Sequence, residues 1–263
     1  MPHTPTAKET RAPERPLILI SNDDGINAPG VYRLIDYLAD MAEIVCVCPD
    51  SPRSAQSMAL TVTEVLRLDR HPDYNGAQIY SCSGTPADCV KLAMRSVLER
   101  RPVLVIGGIN HGSNSGVNLL YSGTMGVATE GCVFGVPSIG FSLTTHRLDA
   151  DFSRCRRWVR EITRKVLENG LPDGVCLNVN IPYDGPEPQQ MRVVRQCHTS
   201  WSEEYKRYTD PMGRPFYMLS GHFVNEEPES TDTDEWCLSH GIVAVVPVLT
   251  DRTAPLSTIS FLE

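Results

Sequence analysis

Apolar and polar positions recur along the chain with two periods, and their order predicts an α/β protein. Leu17, Ile18, Leu19 and Ile20 form a continuous apolar run, as a strand buried on both faces would. Behind Pro29 and Gly30, Val31, Leu34, Ile35 and Leu38 have the spacing of an amphipathic helix. Residues 43–48 are a second apolar run, so strand, helix and strand make a first βαβ unit. Loose alternation over residues 60–68 and a short apolar run over 78–82 predict strands of a smaller antiparallel element between the parallel ones. Thr85, Pro86 and Asp88 are placed as a cap, a first helical residue and a dipole-complementing acid, predicting a helix to about Arg100. Further strands are expected over 103–106, 138–143, 175–181 and 241–249. Helices are expected over the small-residue segment 125–133 and the basic amphipathic segment 152–169, the latter stopped by Gly170 and Pro172.

Composition then divides the chain. Residues 1–16, rich in proline and charge, read as a disordered tail, and residues 17–195 as the α/β core. Polar, aromatic and acidic residues with Pro211, Gly213, Pro215 and Pro228 make 196–240 an extended arm, with a hairpin strand over 216–219, before 241–263 return to the core. The first sixteen residues lack the apolar centre of a signal peptide, and no apolar run approaches the length needed to span a bilayer, so a cytoplasmic, membrane-free protein is expected. The net charge of -8 argues against nucleic acid as a stable partner. Nine scattered cysteines without a Cys-x-x-Cys pair indicate neither a disulfide framework nor a zinc site.

Four polar loops follow strand ends: residues 22–25, 51–57, 107–116 and 121–124. In open α/β sheets ligands bind outside the carboxyl ends of strands. Asp23 and Asp24 directly follow the first strand, where Gly25 permits a turn that lets both acids converge. Each loop alone has a plainer reading as a turn or a helix cap, and a lone loop histidine such as His111 is more often not catalytic. Together they offer carboxylate, hydroxyl and amide oxygens, which suit Mg²⁺, Mn²⁺ or Ca²⁺. Two carboxylates repel a phosphate, and a divalent cation between them reverses that sign. Backbone N–H groups at the helix start near residue 123 would attract phosphate.

The set Asn22-Asp23-Asp24-Gly25 continuing to Ala28-Pro29-Gly30, Pro49-Asp50 with Arg53-Ser54, residues 84–90, Gly108-Ile109-Asn110 with Asn114, and residues 121–124 with Glu130-Gly131 closely resembles the SurE family. These are metal-dependent survival-protein phosphatases, also called 5'/3'-nucleotidases. The resemblance implies a Rossmann-like three-layer core with a mostly parallel sheet, a protruding C-terminal hairpin arm for assembly as a homodimer or homotetramer, and hydrolysis of nucleoside monophosphates. It also implies one divalent cation per subunit, Mg²⁺ or Mn²⁺, held by Asp23, Asp24, Ser54 and Asn110. Asn114, Ser122, Gly123 and Thr124 would hold the phosphate. Asp23 and Asp24 would be the catalytic acids, with Asp24 expected to be the more direct participant.

Two other readings compete. A haloacid-dehalogenase-like phosphatase also places an Asp after its first strand, but it spaces its acids as Asp-x-Asp, whereas Asp23 and Asp24 are adjacent. A nucleotide-binding regulator without catalysis would bind and release no phosphate. A dinucleotide oxidoreductase is disfavoured because no Gly-x-Gly-x-x-Gly turn follows the first strand.

Overall fold

The computed structural model describes residues 15–255 and 257–258. The expected tail therefore lies, up to residue 14, outside the described residues. A nine-stranded sheet forms the centre, in the order β3-β4-β2-β1-β5-β6-β7-β13-β8. β1 (Leu17–Ser21) lies between β2 (Glu43–Pro49) and β5 (Leu104–His111), both parallel to it. β6 (Ser138–Leu143) and β7 (Val175–Ile181) continue the parallel series. β13 (Val243–Leu249) joins antiparallel to β7, with β8 (Met191–Val193) beside it.

Alternate residues of β1 serve opposite layers, as the two-residue period of a strand requires. Ile18 and Ile20 pack with α1 (Pro29–Leu38) and α5 (Arg156–Asn169), while Leu17 and Leu19 pack with α2 (Pro86–Leu92) and α4 (Gly123–Val133). All four side chains are buried, which is why their run shows no polar alternation. The result is the expected three-layer, Rossmann-like α/β fold.

Four local expectations are corrected. Residues 60–67 form no strand; Val62 and Val65 are exposed, so their alternation faces solvent. The strand is instead β3 (Leu68–Tyr74), a polar edge strand with Pro72 and a register shift between His71 and Tyr74, features an edge tolerates. β4 (Ala77–Cys82) pairs antiparallel with β3, as expected, but it also pairs parallel with β2, so this hairpin forms the edge of the main sheet and not a smaller element of its own. The helix from Pro86 does not reach Arg100. A wider turn over Ala93–Val97 ends it, and Leu98 becomes extended to bring Val103 beside Leu17, whose carbonyl accepts its N–H at 2.9 Å. Finally, the glycine-rich stretch after residue 106 is strand as far as His111, with a register shift against β6 between Gly107 and Asn110.

In the C-terminal excursion, β9 (Thr199–Ser202) pairs with β12 (His222–Asn225), and β10 (Tyr205–Thr209) with β11 (Pro215–Leu219). They form a long hairpin of two consecutive antiparallel ladders. The chain then returns through α6 (Asp234–Ser239), whose Cys237 is buried with Val194, Ile242, Ala244 and Val246.

Candidate functional site

The sheet's strand order reverses direction at β1. The chain passes from β1 to β2 on one side and later to β5 on the other, so a crevice opens where their carboxyl ends part. The Asn22-Asp23-Asp24-Gly25 turn occupies that crevice. Asn22 braces it from both sides, its Oδ1 accepting from the Gly25 N–H at 3.2 Å and its Nδ2 donating to the Gly25 carbonyl at 2.9 Å. Gly25 has φ +91°, a conformation costly to any side chain. The loop after β2 is tied to the same turn, since the Arg53 N–H donates to the Asp23 carbonyl at 2.7 Å.

Asp23 is 5% exposed and both of its carboxylate oxygens are engaged by the start of α4. Thr124 Oγ1 donates to Oδ1 at 2.6 Å, and the Gly123 N–H donates to Oδ2 at 3.2 Å. Ser122 caps that helix by accepting the Met125 N–H at 3.0 Å. The positive end of the helix dipole thus faces a carboxylate. A Cβ at Gly123 would stand 2.6 Å from the Asp23 Cβ, so this approach depends on glycine. Burial pushes the Asp23 pKa up to about 6; the Thr124 hydroxyl opposes the rise and the Asp24 charge adds to it.

Asp24 is the more open of the two. Its Oδ2 accepts the His111 N–H at 3.1 Å, while its Oδ1 accepts no hydrogen bond from the described residues. Burial raises its pKa, opposed first by the His111 N–H and then by the charge of His146.

Asn110 is the penultimate residue of β5 and lines the same cavity as these acids. Its Nδ2 donates to the Gly112 carbonyl at 2.8 Å, which leaves Oδ1 without a donor among the described residues. Ser54 is exposed and its hydroxyl likewise has no such partner. Asn114 is buried and held firmly. Its N–H donates to Asn180 Oδ1, its carbonyl accepts from Asn178 Nδ2 and its own Nδ2 donates to Ser142 Oγ, each at 2.8 Å. Asn180 also donates to Asn178 Oδ1 at 3.1 Å, closing the network.

Asp23, Asp24, Ser54, Asn110, Asn114 and Ser122 line one cavity of about 350 Å³. Gly123 and Thr124 do not line it, because the hydroxyl and N–H expected to meet phosphate are turned to Asp23. Ala55, His111, Gly112, Ser113, Asn118, Tyr121, His146 and Trp201 also line it, and of these Asn118, His146 and Trp201 lie outside the four loops that the sequence marks. The clamp of Asn178 and Asn180 carried a usable signal: two asparagines on one face of an otherwise apolar strand, both fully buried. A larger groove of about 620 Å³ runs along β8 and β13, and none of the predicted site residues lines it.

The donor set suits a hard cation. Among the described residues no group of three or more His, Cys, Asp or Glu is arranged to hold a metal. The cavity instead offers two carboxylates with neutral amide and hydroxyl oxygens, and no lysine or arginine lines it to balance the acids.

Fold and crevice together define a doubly wound α/β protein whose ligand edge is acidic and lined with oxygen donors. The family model for survival protein SurE matches residues 18–203, and the chain belongs to that family. The 5'-nucleotidase SurE of Phocaeicola vulgatus is 50% identical over 241 residues, covering 92% of this chain and 93% of that protein. The 5'-nucleotidase SurE of Chlorobaculum tepidum is 37% identical over 246 residues, covering 93% and 92%. The crystal structure of the SurE protein from Aquifex aeolicus superposes with a TM-score of 0.80 at 37% identity, covering 94% of this chain and 99% of that one. No helix among the described residues is long and apolar enough to cross a membrane.

Proposed function

We propose that this chain is a divalent-metal-dependent phosphomonoesterase that converts nucleoside 5'-monophosphates, and 3'-monophosphates, with water to nucleoside and inorganic phosphate. The observation that carries this reading is the convergence of Asp23 and Asp24 with Asn110 and Ser54 in one cavity at the sheet's switch point. These four residues would hold one Mg²⁺ or Mn²⁺. When bound, such a cation supplies Lewis-acid polarisation of a phosphoryl oxygen and neutralises the carboxylates' repulsion of the substrate.

The chain's own residues divide the remaining work. Gly123 and Thr124 fix Asp23 through both of its oxygens, so it serves as an immobile ligand. Asp24 keeps one oxygen free in the cavity and is the acid placed to act on water or phosphorus, as base or as nucleophile. Asn114 and Ser122 lie within reach of a phosphate in the same cavity, Asn114 being fixed there by Asn178 and Asn180. Adjacent acids on one turn also disfavour the haloacid-dehalogenase alternative, whose acids are spaced as Asp-x-Asp.

Assembly as a homodimer or homotetramer in the cytoplasm belongs to the same proposal. Its support is the hairpin, where Tyr205, Tyr208, Phe216, Tyr217, Met218 and Leu219 are all exposed, more apolar surface than a solvated arm needs.

Phosphate release from AMP, with Mg²⁺, Mn²⁺ and EDTA arms, tests the central claim. Asp23→Asn and Asp24→Asn should each remove turnover while the far-UV circular dichroism stays native. Wild-type rates in either variant, or in EDTA, would overturn it.

A further inference from the structure

We propose that Trp201 is the platform on which the base of the nucleotide stacks, so that the hairpin supplies the base-recognising wall of the cavity. The inference rests on the nucleotidase reading above and adds a residue and a contact to it.

The cavity lining is of two chemical kinds. Acids and neutral oxygen donors make up most of it, and Tyr121, Trp201, His111 and His146 add rings. Trp201 comes from β9, at the root of the hairpin, yet it reaches the cavity that holds Asp23 and Asp24. Two separate contacts set its ring plane. The indole N–H donates to Asn118 Oδ1 at 3.0 Å, and Phe223 packs edge-on with ring centroids 5.7 Å apart and planes at 73°. Trp201 is nonetheless 38% exposed. With its only donor satisfied, what the indole has left to offer a ligand is a π face.

The platform is also registered to the phosphate side of the cavity. Asn118, which holds the indole, and Tyr121 are three residues apart on the single turn α3 (Asn118–Tyr121), so they share one side of it. The Val117 N–H donates to Thr199 Oγ1 at 2.7 Å, and Gln196 Nε2 donates to the Gly116 carbonyl at 2.8 Å. These bonds lock β9 to the segment that begins at Asn114. A phosphate near Asn114 and Ser122 would therefore have an aromatic wall at a fixed place for whatever the phosphate is attached to. A base offers that wall a face to stack on, whereas a glycerol or simple alkyl group does not.

Removing one base-stacking aromatic typically weakens binding by roughly five- to 150-fold. The test compares kcat/KM of the Mg²⁺- or Mn²⁺-loaded wild type, Trp201→Ala and Trp201→Phe on AMP and on glycerol 2-phosphate, which has no base. Trp201→Ala should lose about tenfold or more on AMP, mainly through KM, and less than about threefold on glycerol 2-phosphate. Trp201→Phe, which keeps a stacking face, should recover most of the loss. Equal losses on both substrates in both variants, or no selective loss on AMP, would overturn the platform. A wild type that hydrolyses glycerol 2-phosphate but not AMP would instead overturn the nucleotidase reading, so the two failures are distinguishable.

Discussion

Replacing Asp23 by Asn should stabilise the metal-free protein even as it removes activity. Asp23 is almost completely buried and its pKa is raised from the ordinary 3.8 to about 6, chiefly by that burial. The folded state therefore holds the proton more tightly than the unfolded chain. The stability this gives is fully present below pH 3.8 and is lost as pH rises through about 6. At 1.36 kcal/mol per pKa unit, holding the ionised carboxylate costs the fold about 3 kcal/mol at neutral pH. An asparagine avoids the charge without losing its partners. Its carbonyl can accept from the Gly123 N–H, and its NH₂ can donate to the Thr124 hydroxyl, which accepts as readily as it donates. Urea denaturation in EDTA at about pH 4 and about pH 7.5 separates the states. Asp23→Asn should match the wild type at the lower pH and exceed it by up to about 3 kcal/mol at the higher. Saturating Mn²⁺ should reverse the order at neutral pH, because a ligand bound only by the folded wild type adds to its stability. A gain of equal size at both pH values, or none at either, would refute the electrostatic argument.

Other perturbations probe the supports of the site. Asn180→Ala should cost about 2–5 kcal/mol in urea denaturation, since it strands the buried Asn114 N–H and Asn178 Oδ1 at about 1–3 kcal/mol each. Gly123→Ala drives a methyl group against Asp23 and should lower kcat on AMP at least about tenfold, as a misplacement near 1 Å at a reacting centre does; steady-state kinetics beside a far-UV spectrum would check it. Gly30→Ala places its Cβ against the Ile109 carbonyl, so α1 must shift from β5; a loss of about 1–3 kcal/mol in thermal or urea unfolding is expected.

The core strands were legible because burial on both faces leaves an unmistakable mark. Leu17–Ser21, Ser138–Leu143 and Val175–Ile181 are each framed by polar or turn-forming residues. The edge of the sheet was not legible. β3 reads Leu-Asp-Arg-His-Pro-Asp-Tyr, and a strand with one solvated face and one free edge has little need of apolar side chains. The nearby apolar positions at Val62 and Val65 pointed to the wrong segment because they face water. The extent of β5 was hidden for another reason. Glycines 107 and 108 suggest a loop, but at Gly107 the absent side chain lets Thr124 of α4 approach the strand.

The candidate site divides along the same physical line. Asp23 and Asp24 on their shared turn, and Asn110 after the Gly107-Gly108 pair, carry their chemistry in their own identity and spacing. Trp201 does not, since its place in the cavity depends on a bond to Asn118 across 83 residues of sequence. Gly123 and Thr124 lie between these cases. Their position at a helix start was readable, but a helix N-terminus suits any anion, and only the fold decides which anion arrives. Here it is the Asp23 carboxylate, whose oxygens take the N–H and the hydroxyl before a substrate could. That arrangement makes the two adjacent acids unequal: α4 holds both oxygens of Asp23 in place, and only Asp24 has an oxygen without a hydrogen-bond donor among the described residues. The distinction between ligand and reactant in the proposed reaction thus arises from the packing of α4 against β1, and not from any difference between the two side chains.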